Sequence, residues 1–297
     1  MTERKAQRWI QEARDILELV LLPGMAAVLP WTLCFMLFKR FARWRWLYRE
    51  PCEAALAQAT RLGWGGEDQA HWLWVRKLVT LVDHADHYLG LSRSDRWMQR
   101  HLQVTGRWPA GSKGMLLITF HWGAGYWGLR HATAQGLHPH ALVASLSTPA
   151  YQGRWVLTRY ARSRNAHVAN TLGAEVLDVR KNLKAVILAA RRGSQLLAVV
   201  DAPADDTKTA VTVKLMGMTA QFPIGMLRLA VDQQLSAVMY VTGLNVQTGT
   251  RTLSIQALPM HLTAEELAGR VFGELQALIT QDAPAWHFWS EAPRIFR

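Results

Sequence analysis

MLLITFHWGAGYWGLRH, residues 115–131, is the stretch of the chain that decides the fold. It opens as a short apolar run rich in β-formers, reaches His121, crosses a turn that contains Gly123 and Gly125, and continues into an aromatic run from Tyr126. This pattern predicts a strand, a glycine-containing turn and a helix. A histidine at the carboxyl end of a buried strand is held by rigid backbone, and the glycines let a substrate approach the main chain closely. His121 is therefore either a general base or a structural histidine; the local pattern leaves both open.

Short apolar runs alternate with longer amphipathic ones through the rest of the second half of the chain. The runs that predict strands are residues 141–144, 175–179, 196–200, 237–241 and 250–258, and those that predict helices are residues 150–164, 181–192 and 222–233. Residues 217–221 predict a loop, and Thr263 with Glu266 predicts a capping box that opens a helix through Thr280. The alternation predicts an α/β fold with a mostly parallel central sheet flanked by helices.

Residues 51–107 have helical spacing of apolar side chains and predict a helical layer. Within this layer, His84 and His87 lie beside Asp83 and Asp86. Two neighbouring histidines without further ligands at a known spacing are more typical of a solvated helix face than of a metal site. We therefore predict no metal site, and nothing in the sequence indicates a bound cofactor.

The charge balance indicates an acidic partner. The chain has 297 residues, with 34 Lys and Arg against 22 Asp and Glu, a formal net charge of +12 and 14 Trp. Many tryptophans lie beside basic residues, as in FARWRWLYR at residues 41–49, and Trp prefers the lipid headgroup region. A membrane surface is therefore favoured over nucleic acid, for which no motif is found. Two cysteines, Cys34 and Cys52, are too few for a disulfide framework and fit a reducing compartment.

Residues 19–38 form a run of twenty residues without a charge, which is long enough to span a bilayer. Pro23, Gly24 and Pro30 would kink a helix there. The run predicts a transmembrane anchor, an embedded helical hairpin or a buried helix of a soluble domain, and these alternatives stay open. The organisation we expect is a membrane-associated helical segment over residues 1–50 and an α/β domain over residues 51–297. Basic residues directly after the run favour a cytoplasmic body if it spans.

Four motifs of the second half occur together in one known family. They are His121 in the TFHWGAGYWG turn, residues 177–184 (LDVRKNLK) before a helix ending in ARRG, Asp201 in VVDAP, and residues 283–289 (APAWHFW). In this order and spacing the chain resembles the lipid A biosynthesis acyltransferases of bacterial inner membranes, the lauroyl and myristoyl transferases. That family belongs to the glycerolipid acyltransferase superfamily. The resemblance covers nearly the whole chain.

The resemblance implies transfer of an acyl group from an acyl carrier protein or coenzyme A thioester to a hydroxyl of a lipid acceptor, at the cytoplasmic side of the bacterial inner membrane. His121 would be the general base, because the attacking hydroxyl has to lose its proton. Backbone amides beside Gly123 and Gly125 would bind the oxyanion. Arg180 would bind the acceptor phosphate or the oxyanion. Asp201 would either position a catalytic group or cap the turn that follows it.

The chain departs from the family at one position of the central motif. The family has an acid five residues after the histidine, and here that position is Tyr126. Tyr126 is a candidate catalytic residue, because its phenol can hydrogen-bond the ring, but it is neutral near pH 7 and does not offset an imidazolium charge. Three explanations follow: another acid acts instead, with Asp201 and Asp205 as candidates; the activated thioester makes the reaction less demanding; or the chain is a catalytically impaired subunit that binds lipid or a partner enzyme. A second pair with family spacing, His261 and Glu266, is better explained by the capping box.

Overall fold

The computed structural model of the chain describes residues 2–111, 114–143, 151–204 and 209–296. Asp205 lies outside the described residues. The strands are β1 Leu102–Thr105, β2 Met115–Thr119, β3 His140–Val143, β4 Leu177–Asp178, β5 Gln195–Val199, β6 Ala210–Leu215, β7 Met218–Pro223, β8 Ser236–Leu244 and β9 Arg251–Ala257. The helices are α1 Thr2–Asp15, α2 Leu22–Val28, α3 Trp31–Phe41, α4 Arg49–Arg61, α5 Gln69–Ser92, α6 Asp95–Gln99, α7 Tyr126–Ala134, α8 Trp155–Leu172, α9 Leu183–Arg191, α10 Gly225–Asp232, α11 Ala264–Asp282 and α12 Ala292–Ile295.

The described strands form a seven-stranded sheet and a separate hairpin. The order in the sheet is β1-β9-β8-β2-β5-β3-β4, and β6 pairs with β7. β8 and β9 are antiparallel, whereas every other neighbouring pair in the sheet is parallel. β2 is buried along its whole length, as expected of a strand covered on both faces. The predicted α/β class with a mostly parallel sheet flanked by helices is confirmed.

Alternate side chains of β2 belong to two apolar clusters on the two faces of the sheet. Leu116 and Ile118 join the cluster that contains α9, α10, α11 and the hairpin. Met115 and Leu117 join the cluster that contains α2, α3, α5 and α7. The period of two in the strand therefore decides which helices each side chain contacts.

The uncharged run near the amino terminus is divided between two helical stretches, with the break at Leu29. A π-helical turn at Ile16–Leu21 leads into α2, and the chain is extended at Leu29 before Pro30 starts α3. The break agrees with the expected effect of Pro30, because the residue before a proline disfavours the helical conformation. Buried side chains of α2 and α3 belong to the same cluster as α5. Within the described ranges, every helix is too short or too polar to traverse a bilayer.

Three predictions about local structure are wrong. Of the predicted loop 217–221, residues 218–221 lie in β7, and Gly217 forms with Met216 a tight two-residue hairpin turn in which both residues have positive φ. The helical layer ends before β1, which joins the edge of the sheet beside β9. His87 is buried where α8 covers α5, so the pair His84 and His87 is not on a solvated face. The predicted helix at residues 150–164 corresponds to α8, which begins later; Ala150 lies outside the described residues.

Candidate functional site

His121 and Asp201 follow two neighbouring parallel strands. Thr119 at the end of β2 is level with Val199 at the end of β5, so residues 121 and 201 lie two positions beyond the same level of the sheet. Parallel strands place their carboxyl ends at one edge, where open α/β sheets bind ligands. The sheet register therefore brings together two residues that are eighty positions apart in the sequence.

The Asp201 carboxylate binds His121 through both ring and backbone. Nδ1 of His121 lies 2.8 Å from Oδ1, and the backbone N–H of His121 donates to Oδ2 at 2.9 Å and to Oδ1 at 3.1 Å. Because a carboxylate oxygen only accepts, Nδ1 carries the ring proton and Nε2 of a neutral ring keeps a lone pair. Asp201 is fully buried, whereas 38% of the His121 side chain is exposed. The pair has the geometry of an oriented general base.

The carboxyl-terminal segment, residues 283–288, fixes this pair from the other side. Trp286 is fully buried and its Nε1 donates to Oδ2 of Asp201 at 2.9 Å. Phe288 stacks on the His121 ring with a centroid separation of 3.8 Å. The backbone N–H of His287 donates to the His121 carbonyl at 2.8 Å, and that of Gly123 donates to Ala285 at 3.0 Å. The segment therefore pairs with the turn that carries His121, as an added antiparallel strand would.

Arg76 of α5 holds the backbone of this segment. Its Nη1 donates to the carbonyls of Trp286 at 3.0 Å and Pro284 at 3.2 Å, and its Nη2 donates to the carbonyl of His287 at 3.2 Å. The side chain is buried, and burial lowers the pKa of its guanidinium. The planar, rigid guanidinium thus orients three backbone carbonyls of the segment.

Gly123 is required by the turn after His121. Its φ is +56°, and a Cβ at this position would collide with the carbonyl oxygen of Thr242 in β8. The backbone N–H of the next residue, Ala124, donates to the same carbonyl at 3.2 Å. The turn is therefore pressed against β8, which only glycine permits.

Beside His121, a cavity of about 440 Å³ opens between the sheet and helices α7 and α8. Such a volume, with mainly apolar walls and few polar groups, is typical of small-molecule sites. The aliphatic side chains that line it are Leu129, Ala141, Leu142, Val143, Val168, Val176, Leu197 and Val199. His121 also lines this cavity, so a ligand bound in it would lie beside the imidazole.

Charged and polar groups line another part of the cavity wall. Arg164 of α8 donates to the carboxylate of Asp83 of α5 at 2.7 Å. Burial by itself would raise the pKa of Asp83, but the Arg164 guanidinium outweighs it and holds the pKa well below its usual range. Burial, assisted by Arg76, lowers the pKa of His287 to about 4. His287 is thus neutral near pH 7 and its Nε2 hydrogen-bonds the Gly123 carbonyl at 2.7 Å.

Tyr126 lines the same cavity without contacting the imidazole through its hydroxyl. The hydroxyl forms a hydrogen bond with Thr171 of α8, and the ring lies 4.4 Å from that of His167. Burial raises the pKa of Tyr126 to about 12. The hydroxyl of Tyr126 therefore does not bind the imidazole, and the carboxylate that hydrogen-bonds Nδ1 of His121 is that of Asp201.

Gly125 and Arg180 are placed differently from one another. Gly125 lines the cavity and is the residue before α7, whose first turn has no side-chain cap. Arg180 is exposed in the turn after β4, where its backbone N–H donates to the Asp178 carboxylate at 3.0 Å. β4 is three strand positions from β2, roughly 14 Å at the usual strand spacing. Arg180 shares the sheet edge with His121 but does not line the cavity.

The second histidine–acid pair belongs to a helix cap. The side chain of Glu266 accepts the backbone N–H of Thr263 at 2.8 Å, and the Thr263 hydroxyl oxygen accepts the backbone N–H of Glu266 at 3.2 Å. The predicted capping box is confirmed. Both cysteines are free and buried. Among the described residues, no cluster of three or more His, Cys, Asp and Glu has the arrangement of a metal site.

No protein-family model matches this chain, and no curated protein matches it. The resemblance to the acyltransferases therefore stays a prediction from the sequence motifs. The geometry of the site is the observation on which a function is argued.

Sequence reasoning did not assign roles to Arg76, Trp286 or Phe288. The tryptophans and the phenylalanine of APAWHFW were visible as a motif, but nothing in their spacing indicated contact with residues 121 and 201. Arg76 lies on a helix among other basic residues, and its burial is set by a segment more than two hundred residues away. A charged residue on an otherwise apolar helix face was the available signal.

Proposed function

We propose that this chain is a membrane-associated acyltransferase of the bacterial inner membrane, with its catalytic body on the cytoplasmic side. It moves an acyl group from a carrier-protein or coenzyme A thioester to a hydroxyl of a lipid-type acceptor. The observation that carries the proposal is the His121–Asp201 pair beside an apolar cavity of about 440 Å³. The family motifs and the excess of positive charge, which suits an acidic carrier and a membrane surface, support it.

The chemistry needs a base and an oxyanion site. Nε2 of His121 takes the proton of the acceptor hydroxyl as its oxygen bonds to the thioester carbonyl carbon, which gives a tetrahedral oxyanion. Collapse of this intermediate breaks the C–S bond, and the imidazolium returns the proton to the leaving thiolate. Asp201 stabilises the imidazolium between the two steps.

The oxyanion is assigned to the first turn of α7. That turn begins at Gly125 on the cavity wall and has no side-chain cap, so its amides and the positive end of the helix dipole are available to an anion. Gly123 has a different role from the one expected, because its N–H donates to Ala285. Arg180, on the same sheet edge, remains the candidate for a phosphate of the acceptor outside the cavity.

The rival function is a catalytically impaired subunit that binds lipid or a partner enzyme. Its motivation was the missing acid at position 126. The contact of Asp201 with Nδ1 supports an enzyme instead, since an acid is available from another strand.

The test compares two histidine-to-asparagine variants. His121→Asn removes the basic nitrogen and should abolish acyl transfer, whereas His261→Asn, at an exposed histidine with the same spacing to an acid, should not change it. Lipids extracted from cells that carry each form, analysed by mass spectrometry beside cells without the gene, would reveal the acylated species that is lost. Equal amounts of that species with His121→Asn and the unaltered chain would refute the proposal.

A further inference from the structure

The outer face of α3 exposes apolar side chains next to arginine. The inner face buries Cys34, Phe35 and Phe38 in the cluster that contains α5. On the outer face, 42% of Leu33 and 56% of Met36 are exposed. Arg40 is also exposed and follows them at the helical spacing of three and four residues, so these side chains share one face.

The turn after α3 exposes two tryptophans. Trp44 and Trp46 are 37% and 42% exposed, and their ring centroids lie 5.1 Å apart. Phe41 extends the group, with its ring 4.5 Å from that of Trp44. Arg43 and Arg45 alternate with the tryptophans and are exposed. We name this set the α3 surface; its residues are Leu33, Met36, Arg40, Arg43, Trp44, Arg45 and Trp46.

The α3 surface is cationic without nearby acidic residues in the sequence. From residue 19 to residue 49 the chain contains no Asp or Glu, although it contains Lys39 and several arginines. An exposed apolar and aromatic patch bordered by arginine has the composition of an interfacial membrane-binding element. Neighbouring arginines favour an anionic leaflet, because each basic residue near such a surface makes the free energy of binding more favourable.

The same helix holds the α3 surface and the candidate site. Nζ of Lys77 in α5 donates to the carbonyls of Trp44 at 2.8 Å and Arg45 at 3.3 Å. The preceding residue, Arg76, holds the segment that contacts His121 and Asp201. α5 therefore connects the turn at Trp44 with the segment that contacts the candidate site.

We propose that the α3 surface docks the protein on the headgroup region of an anionic phospholipid bilayer. The aromatic rings insert at the level of the headgroups and the arginines bind lipid phosphates. This docking specifies the membrane association of the proposed function. It rests on the proposed function for the statement that the bilayer holds the lipid acceptor. The docking itself requires no acyl transfer, so it is measured separately.

Sedimentation of the full chain with vesicles tests the docking. Vesicles of phosphatidylcholine alone are compared with vesicles that also contain phosphatidylglycerol, at low and high salt and without an acyl donor. We expect binding to the anionic vesicles, weakened by salt. Replacement of Arg40, Arg43 and Arg45 by alanine should weaken it about a hundredfold, at about fivefold for each arginine. The double variant Trp44→Ala/Trp46→Ala should also lose binding.

The matched control is Leu188→Ala with Arg191→Ala in α9. These residues are an exposed leucine and an exposed arginine on the opposite side of the sheet. Near-ultraviolet circular dichroism of each variant verifies that it is folded. Equal loss of binding in the α9 control, or unchanged binding in folded α3-surface variants, would overturn the proposal. Failure of the unaltered chain to bind anionic vesicles would also overturn the proposal. An acidic protein would then be the expected partner of the α3 surface.

Discussion

Asp201→Asn is the substitution that separates an oriented general base from a histidine that merely ends a strand. The change keeps the shape of the side chain and removes its negative charge. In the structure, the two carboxylate oxygens accept from three donors: Nδ1 and the backbone N–H of His121, and Nε1 of Trp286. An asparagine has one acceptor oxygen and an NH₂ group that would face at least one of these donors.

Two magnitudes follow from this geometry. Loss of a buried hydrogen bond to a charged group costs about 1.5–3 kcal/mol of folding stability. The effect on rate is larger, because the imidazolium that forms during proton transfer has no counter-charge. Loss of the corresponding carboxylate in serine proteases costs about ten-thousandfold, and general acid–base assistance contributes about 10²–10⁴-fold. Since a thioester is an activated donor, we expect kcat to fall within that same range of about 10²–10⁴-fold.

The assay is the initial rate of acyl transfer to the acceptor identified from the lipid comparison, with the acyl chain of that lipid supplied as the carrier-protein and as the coenzyme A thioester. Asp68→Asn is the matched control, because Asp68 caps α5 through the backbone N–H of His71 and asparagine caps equally well. A thermal melt of each variant separates lost rate from lost fold. If folded Asp201→Asn kept the kcat of the unaltered chain, the assignment of His121 and Asp201 as a catalytic pair would be refuted.

Substitutions at three further residues have expected outcomes. Arg76→Met should lower kcat with little change in KM, because the guanidinium that binds three carbonyls is lost. Arg76→Lys should recover part of the kcat. Unaltered kcat in both variants would contradict a positioning role. Tyr126→Phe should leave kcat unchanged and cost about 0.5–1.5 kcal/mol of stability, since its hydroxyl bonds Thr171. Tyr126→Glu should lower activity by burying a carboxylate. Burial lowers the pKa of His84 from 6.5 to about 3. Between these two pH values the unfolded chain binds a proton at this residue and the folded chain does not, so the free energy of unfolding falls as the pH falls. His84→Gln should reduce this fall by up to about 1.4 kcal/mol per pH unit, measured by urea unfolding.

Local patterns were sufficient to predict the elements that carry the site. The apolar run before His121 and the two glycines after it predict β2, the turn and α7, all of which the structure contains. The alternation of strands and helices predicts the parallel sheet, and hence that residues after different strands meet at one edge. These features depend on neighbours in the sequence, which is why periodicity reveals them.

The sequence narrows the acid that contacts His121 to two candidates, Asp201 and Asp205. It also leaves open that Asp201 only caps a turn. Which strands become neighbours, and at what register, depends on packing across the whole sheet rather than on residues near position 201. The same limit explains His87: its sequence neighbours indicate a solvated helix, but α8 packs over it. The contacts of Trp286 and Arg76 are likewise set by residues far away in the sequence, and the only local signal was the charge of Arg76 on an otherwise apolar helix face.

The placement of the acid also bears on the difference at position 126 from the motif of the acyltransferases that the chain resembles. An acid five residues after the histidine would lie in the first turn of α7, where Tyr126 instead packs on α8. An acid after the neighbouring strand is attached to backbone that β2 and β5 already hold in register. The N–H of His121 and Nε1 of Trp286 orient this acid further. The acid therefore both orients the imidazole ring and supplies the negative charge opposite an imidazolium. A substituted motif position therefore does not by itself indicate a lost activity when the sheet can present a carboxylate from the next strand.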